Sequence, residues 1–274
     1  MHFTPSDTVI LIPTYNNAGT LADVVQRALA QGLPVLVVND GSTDGTAEVL
    51  EGMRSPVKPG MTGEEPTDPG MMGEDPSWPA ATGHLSVITH PVNRGKGVAL
   101  KTGFQEARRQ GYAYVITLDA DGQHHPEDIP LLLEKKGEKT LVVGSRSIRG
   151  KDGGSSFANR FSNFWFTLYT WIKLPDTQTG YRLYPLKDLP SLRLLSARYE
   201  AELTLLVFSA WKGLKLVPVP VQVEYPEDRV THFRPGKDFT RISILNTLLL
   251  FVAIFYGYPR TLFRKFISLF RKNS

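Results

Sequence analysis

Asp119, Asp121 and Gln123 stand at i, i+2 and i+4 at the end of the apolar run Val115–Leu118, within the stretch YAYVITLDADGQHHP (Tyr112–Pro126). In extended chain that spacing puts all three side chains on one side. Two carboxylates and an amide oxygen converging at a strand end suit a hard divalent cation, Mg²⁺ or Mn²⁺. Such a cation is usually held together with substrate phosphates rather than in an all-protein cage. The plainer reading of a lone D-x-D is an Asp-rich turn, and the rest of the chain decides between the two.

The elements that would position these groups follow a strand–helix alternation. Thr8–Ile12 (TVILI) is a continuous apolar run of the kind buried on both faces of a parallel sheet, and it ends in Pro-Thr-Tyr-Asn-Asn. Leu21, Val24, Val25, Ala28 and Leu29 fall at helical spacing, and Gly32 closes that helix. A second buried strand, Pro34–Val38, runs into Asn-Asp-Gly-Ser-Thr-Asp-Gly-Thr, where Ser42 or Asp44 can cap the next helix. The strand Leu85–Thr89, a helix over Val98–Gln110, a helix from Pro126 to about Lys135 and a strand Thr140–Val143 continue the pattern. The predicted class is α/β, with a mostly parallel central sheet and helices on both faces. Three strands thus end in polar clusters: Tyr15-Asn16-Asn17, Asn39-Asp40 and Asp119/Asp121. Ligands of open α/β sheets bind outside the carboxyl ends of the strands, so independent clusters on one edge outweigh any single motif. Arg94 and Lys96, beside glycines at a strand-to-helix turn, can bring cations and backbone N–H groups to a phosphate, or simply form a solvated helix start. Neither a G-x-G-x-x-G after the first strand nor a Walker A motif occurs, which disfavours dinucleotide and P-loop readings.

Composition narrows the chemistry further. With no cysteine among 274 residues, disulfides, thiolate metal sites and cysteine nucleophiles are excluded. The N-terminus reads as a first strand rather than a signal peptide, so the catalytic part is expected in the cytosol. Gly52–Gly83 holds six Pro and six Gly and a near-duplicate, PGMTGEEP and PGMMGEDP, and reads as a disordered insert. Residues 1–228 are therefore expected to form the catalytic domain, interrupted by the insert at 52–83. Residues 229–274 carry nine Lys/Arg against one acid, whereas the preceding 228 carry 22 basic and 26 acidic groups. This basic tail is also strongly apolar, which favours an anionic membrane surface over nucleic acid.

Phe157–Leu174 carries seven aromatics in eighteen positions, either to pack a core or to meet a membrane interface; Arg160 and Asn163 within it could face a lipid head group. Asp176–Arg182 (DTQTGYR) is a polar loop; after an intervening helix, Glu200-Ala201-Glu202 opens an apolar helix running to about Trp211, and a strand pair near Leu216–Val223 follows. Ile242–Tyr258 is an uncharged run of 17 residues, at the lower limit of ~17 to ~25 for a bilayer span, and Thr261–Lys272 has the pattern of an interfacial amphipathic helix. Peripheral and single-pass attachment to the cytoplasmic membrane face both remain open on sequence.

PTYNN, VVNDGSTDGT, NRGKG, LDADGQHHPEDI, GSR and DTQTGYR occur in the order seen in family 2 glycosyltransferases, and over Thr8–Val223 the chain resembles the dolichyl-phosphate mannosyltransferase branch and its bacterial polyprenyl-phosphate relatives. The resemblance implies a GT-A fold and an inverting, metal-dependent sugar transfer from a GDP- or UDP-linked donor. It implies that Pro13, Tyr15, Asn17, Val38 and Asp40 hold the nucleoside, with Asn17 where the mannosyltransferases usually have Glu. Asp119, Ala120 and Asp121 would meet the nucleotide sugar, and Asp121 and Gln123, with Asp119 close by, the metal. Arg146 would contact the acceptor phosphate, with Arg160 as a second cation, and Arg229 and Arg234 would close over the donor.

If the acceptor is a lipid phosphate the nucleophile is already an anion and needs cations to position it. If it is the hydroxyl of a glycolipid or cell-envelope glycan, a carboxylate base is required, and Glu200, Glu202 and Asp176 are the candidates. A nucleotidyltransferase on a similar sheet and a non-catalytic binding module are the competing classes. The first lacks its Gly-rich, Arg-containing loop here.

Overall fold

A computed structural model describes residues 7–54, 84–146, 157–192, 200–224 and 246–272. Most of the Pro/Gly-rich insert, Arg229, Arg234 and residues 242–245 lie outside them.

The strands are β1 (Thr8–Thr14), β2 (Val35–Asn39), β3 (Leu85–Thr89), β4 (Tyr114–Thr117), β5 (Thr140–Arg146), β6 (Arg182–Pro185) and β7 (Lys215–Val221). The helices are α1 (Leu21–Leu29), α2 (Thr46–Arg54), α3 (Lys96–Arg109), α4 (Ile129–Leu133), α5 (Phe157–Thr170) and α6 (Glu200–Lys212). A helix over residues 246–252 (α7) passes through a π-turn at Ala253–Gly257 into α8 (Tyr258–Lys272). Among the described residues seven strands form one sheet in the order β3-β2-β1-β4-β6-β5-β7. The pairs β1–β2, β1–β4, β2–β3 and β5–β7 are parallel, and β6 runs antiparallel to both β4 and β5.

The alternation of each strand builds two cores. Val9, Leu11, Leu36, Val38, Val115 and Val143 turn to the face covered by α3, α5 and α6, where they meet Phe104, Phe166 and Leu206. Ile10, Ile12, Val35, Val37, Ile116 and Val142 turn to the opposite face and meet Leu21, Val24, Val25, Ile129 and Leu132 from α1 and α4. Burial of both faces explains the unbroken apolar runs of β1 and β2. Gly103 of α3 rests directly on Leu11, where a Cβ would have no room, so this helix lies close against the sheet.

Three sequence expectations are corrected. Arg182–Pro185 is a strand, not the entry to a helix: Leu183 pairs with both Ile116 and Val142, so β6 fills the gap between β4 and β5. The segment after Gly213 gives one strand, β7, parallel to β5, and Val223 makes an isolated bridge to His124 instead of completing a strand pair. Residues 52–54 belong to α2 and not to the insert. The aromatic segment forms α5 up to Thr170, with Phe166 and Tyr169 buried and Phe164 exposed.

The C-terminal helices are seated on the body. Leu249 and Ala253 are buried, and Gly257 lies so close to the Trp211 indole that a Cβ would collide with it. Tyr258 donates to the Leu168 carbonyl at 2.7 Å and stacks on Trp171, and Arg264 donates to the Trp211 carbonyl at 2.9 Å. The opposite side of the same segment exposes Leu248, Phe251, Phe255, Leu262, Phe266 and Leu269. No helix among the described residues is long and apolar enough to cross a membrane.

Candidate active site

The carboxyl ends of β1, β2 and β4 lie side by side, so their polar extensions meet. Asn16, at φ 56°, clasps the turn after β2: its amide N–H bonds Ser42 Oγ at 3.0 Å and its Oδ1 accepts from the Thr43 N–H at 2.8 Å. Asp44 accepts from the Ala18 N–H, and Thr46 Oγ1 from the Asn17 N–H. Tyr15 is 36% exposed beside this clasp. Asn17 donates its side-chain amide to the Tyr15 carbonyl. Pro13 and Val38 are register partners one step back in β1 and β2, and both are buried.

Asp40, expected at the nucleoside, is 2% exposed and holds the neighbouring turn. Its carboxylate accepts from the Gly95 N–H at 2.7 Å, from the Arg94 N–H at 3.1 Å and from His90 Nδ1 at 2.7 Å. His90 Nε2 in turn lies 3.0 Å from Thr102 Oγ1 of α3. Two backbone amides of NRGKG, those of Arg94 and Gly95, are therefore spent on Asp40. Lys96 turns inward as well: its Nζ lies 2.7 Å from Asp119 Oδ1 and 3.0 Å from Glu202 Oε2. Sequence reasoning gave Lys96 no such partners, because Glu202 is more than a hundred residues away and no local pattern announces it.

Asp119 is fixed from two sides. Lys96 holds one oxygen, and Gly180 abuts the carboxylate so closely that an added Cβ would stand 2.6 Å from Oδ2 and 2.8 Å from Oδ1. Thr117 Oγ1 donates to the Gly180 carbonyl at 2.6 Å, which ties that loop to the end of β4. The Ala120 carbonyl accepts from Thr20 Oγ1, joining the same corner to α1. Burial pushes the Asp119 carboxyl up, but Lys96, with His124 and Arg182, outweighs it and holds the group below its ordinary value. Asp121 goes the other way: burial and then the charge of Asp119 push it up. Its oxygens accept from the Gln123 backbone N–H at 3.0 Å and side-chain Nε2 at 2.8 Å, which leaves the Gln123 carbonyl end for another partner. His124 beside them is buried with Nδ1 unpartnered, and burial lowers its pKa.

This donor set fits a hard divalent cation. A dication would relieve the repulsion that raises Asp121, and the three oxygens match the ligand preference of Mg²⁺ or Mn²⁺. Among the described residues no three His, Cys, Asp or Glu side chains converge as a metal cage.

The loop Pro175–Gly180 lies beside these carboxylates, with Gly180 against Asp119. Arg146, at the end of β5, grips the buried Asp176 with Nε at 2.5 Å and Nη2 at 3.0 Å, and its side chain remains 30% exposed. Asn163, expected at a head group, uses both ends of its amide on this loop, donating to the Pro175 carbonyl and accepting from Thr177. Arg182 is wholly buried and supports the loop from beneath, donating to the Thr177 carbonyl at 2.9 Å and the Glu202 carbonyl at 2.8 Å. Arg160 is exposed on α5. Of the three candidate bases, Glu202 is bound to Lys96 and Asp176 to Arg146. Glu200 is half-buried, and two residues along a helix from Glu202 it points about 200° away.

The family model for glycosyl transferase family 2 matches residues 9–61 and 75–188. The chain is 31% identical over 228 residues to a UDP-N-acetylglucosamine–dolichyl-phosphate N-acetylglucosaminyltransferase of Methanococcus voltae, covering 80% of this chain and 86% of that protein. It is 30% identical over 222 residues to an undecaprenyl-phosphate mannosyltransferase of Micrococcus luteus, covering 77% and 81%. Among solved structures, glucosyl-3-phosphoglycerate synthase from Mycobacterium tuberculosis aligns with a TM-score of 0.55 at 18% identity, covering 90% of this chain and 78% of that one, and shares the GT-A-like fold. The chain belongs to glycosyl transferase family 2 and is a glycosyltransferase.

Proposed function

We propose that the enzyme moves a sugar from a nucleotide-diphosphate donor to a polyprenyl phosphate, with inversion at the anomeric carbon. The acceptor class is supported by the state of these side chains: Glu202 and Asp176 are already bound to cations, while Arg146 stays part-exposed and Arg160 is exposed on α5. A lipid phosphate attacks as an anion and needs positioning cations, not a base. Its oxygen forms the new bond to the anomeric carbon as the bond to the donor diphosphate breaks, and the nucleoside diphosphate leaves with the electron pair. The relatives named for undecaprenyl- and dolichyl-phosphate acceptors support the same reading.

Tyr15 and Asn17 would border the base of a GDP- or UDP-linked donor. Asp119, Asp121 and Gln123 would hold Mg²⁺ or Mn²⁺, which when bound supplies Lewis-acid stabilisation of the leaving diphosphate. Lys96 keeps Asp119 ionised for that task, Gly180 leaves it room, and Arg146, oriented by Asp176, would receive the acceptor phosphate. Residues 1–228 would form the catalytic domain and residues 229–274 the membrane-associating one. The exposed apolar stripe of α7 and α8, with Arg260 on its flank, would lie in the interface of the cytoplasmic membrane face without crossing it.

The test is incubation of the purified enzyme with labelled GDP- and UDP-sugars, undecaprenyl phosphate in anionic vesicles, and Mg²⁺ or Mn²⁺. The expected product is lipid-extractable and released by mild acid, and it is lost in Asp121→Ala. A product that survives mild acid would transfer the assignment to a hydroxyl acceptor.

A further inference from the structure

Lys96 is an internal cation lodged against one of the two carboxylates assigned to the metal. Its ammonium is shared between Asp119 of the β4 end and Glu202 of α6, at 2.7 and 3.0 Å, and its side chain is 18% exposed. No Lys or Arg among the described residues forms a comparable ion pair with Asp121, whose contacts are the two Gln123 N–H groups. Lys96 is held in this position by the turn it belongs to, since the adjoining Arg94 and Gly95 amides are fixed on buried Asp40.

We propose that Lys96 is a resident competitor for the divalent cation, setting the metal affinity of the Asp119–Asp121 pair, and that Glu202 moderates it by drawing the ammonium away from Asp119. Both are positioning residues, and the inference rests on the assignment of Asp119 and Asp121 as metal ligands made above. The physical argument is one of charge. A dication bound to Asp119 Oδ1 at ~2.1 Å lies at most ~5 Å from the Lys96 nitrogen. Repulsion between one and two unit charges at ~5 Å weakens binding by roughly ten-fold or more even with the dielectric of water, and by more in a partly buried site. The Glu202 charge, paired with the same ammonium, acts in the opposite sense. Such weakening would have a use: a site holding its ion loosely until a diphosphate adds its own charges would let the ion go with the nucleoside diphosphate.

The experiment is a Mn²⁺ titration of the full-length protein followed by electron paramagnetic resonance of the free ion, with and without nucleoside diphosphate. Lys96→Met should bind Mn²⁺ about ten-fold or more tightly than the wild type. Lys96→Arg, which keeps the charge, should stay near the wild type, and Glu202→Gln should bind several-fold more weakly. Lys96→Gln replaces Lys96→Met if the latter melts early, and melting curves accompany each variant. A merely structural Lys96 would give the opposite sign, because Asp119 would lose its orientation and affinity would fall. Unchanged or weaker binding by both neutral variants, or tighter binding by Glu202→Gln, overturns the inference while leaving the metal assignment standing. A wild type that binds no Mn²⁺ under either condition overturns the metal assignment and the inference with it.

Discussion

Gly180→Ala tests whether catalysis depends on where Asp119 sits. Gly180 has no left-handed φ to preserve, so alanine brings no backbone strain. Its Cβ would stand 2.6 Å from Asp119 Oδ2, 2.8 Å from Oδ1 and 3.0 Å from Cγ. An ordinary contact needs about 3.4 Å, so one group must retreat by about 0.8 Å. The loop cannot retreat easily, because the Gly180 carbonyl is tied to Thr117 Oγ1 and the Gly144 N–H donates to the Tyr181 carbonyl at 2.8 Å. Asp119 therefore moves, off Lys96 and out of register with Asp121. Misplacement by ~1 Å can cost up to 10²-fold in rate, so a fall in kcat/KM of about 10- to 100-fold is expected, equivalent to about 1.4–2.7 kcal/mol. The assay is donor turnover with undecaprenyl phosphate at fixed Mn²⁺, alongside a thermal melt. Gly19→Ala, which meets nothing within 4 Å, is the control and should behave as the wild type. Wild-type kcat/KM in folded Gly180→Ala would refute the claim that this carboxylate is positioned for the reaction.

Arg146→Lys keeps the charge but not the two-pronged grip on Asp176; the KM for the lipid phosphate should rise ten-fold or more while that for the nucleotide sugar holds. Asp44→Asn tests the clasp between the first two strand ends. Burial pushes the Asp44 carboxyl up, but the Thr46 hydroxyl and the Ala18 and Thr46 amides outweigh it, so it lies below its ordinary 3.8. A depressed acid stabilises above its unfolded pKa and loses that contribution as pH falls through the folded one. The wild type should melt slightly above Asp44→Asn at pH 7, by a margin kept small by solvent screening, and the gap should close as pH drops below 3.8. Gly52→Ala, in α2 with open space around it, should stabilise by about 0.5–1 kcal/mol and raise the melting midpoint by about 1–3 °C.

The parts of this fold that announce themselves in sequence are those buried on both faces. TVILI and PVLVV admit little but central parallel strands, and the polar residues that follow them must then share one edge. Strand β6 gives no such signal: it is four residues long, begins with an arginine and ends with a proline, and its identity comes from the gap it fills between β4 and β5. The same divide runs through the site. The place of Asp119, Asp121 and Gln123 just past a buried strand is readable from their spacing after an apolar run. The inward turn of Lys96, the use of Asp40 on the NRGKG amides and the loop-holding amide of Asn163 depend on residues far away in the chain. Arg182 closes a polar loop in the sequence and proves to be a wholly buried strut, because its hydrogen bonds go to carbonyls that only the folded chain presents.

The place of β6 in the sheet also fixes the order in which the enzyme can be completed. β1 to β4 pair among themselves and can assemble as soon as residue 117 is available. β5 follows in sequence but does not pair with β4, and must wait for Arg182–Pro185 to be made. At ~5–20 residues per second, the interval between Arg146 and Arg182 is roughly 2–7 s of synthesis. Throughout it, the inner edge of β4 is an open strand of Tyr114, Val115, Ile116 and Thr117, able to pair with another chain. The strand that closes this vulnerable edge is continuous with the loop that sets Asp119, so a nascent chain acquires its protection from aggregation and its active site in a single late step.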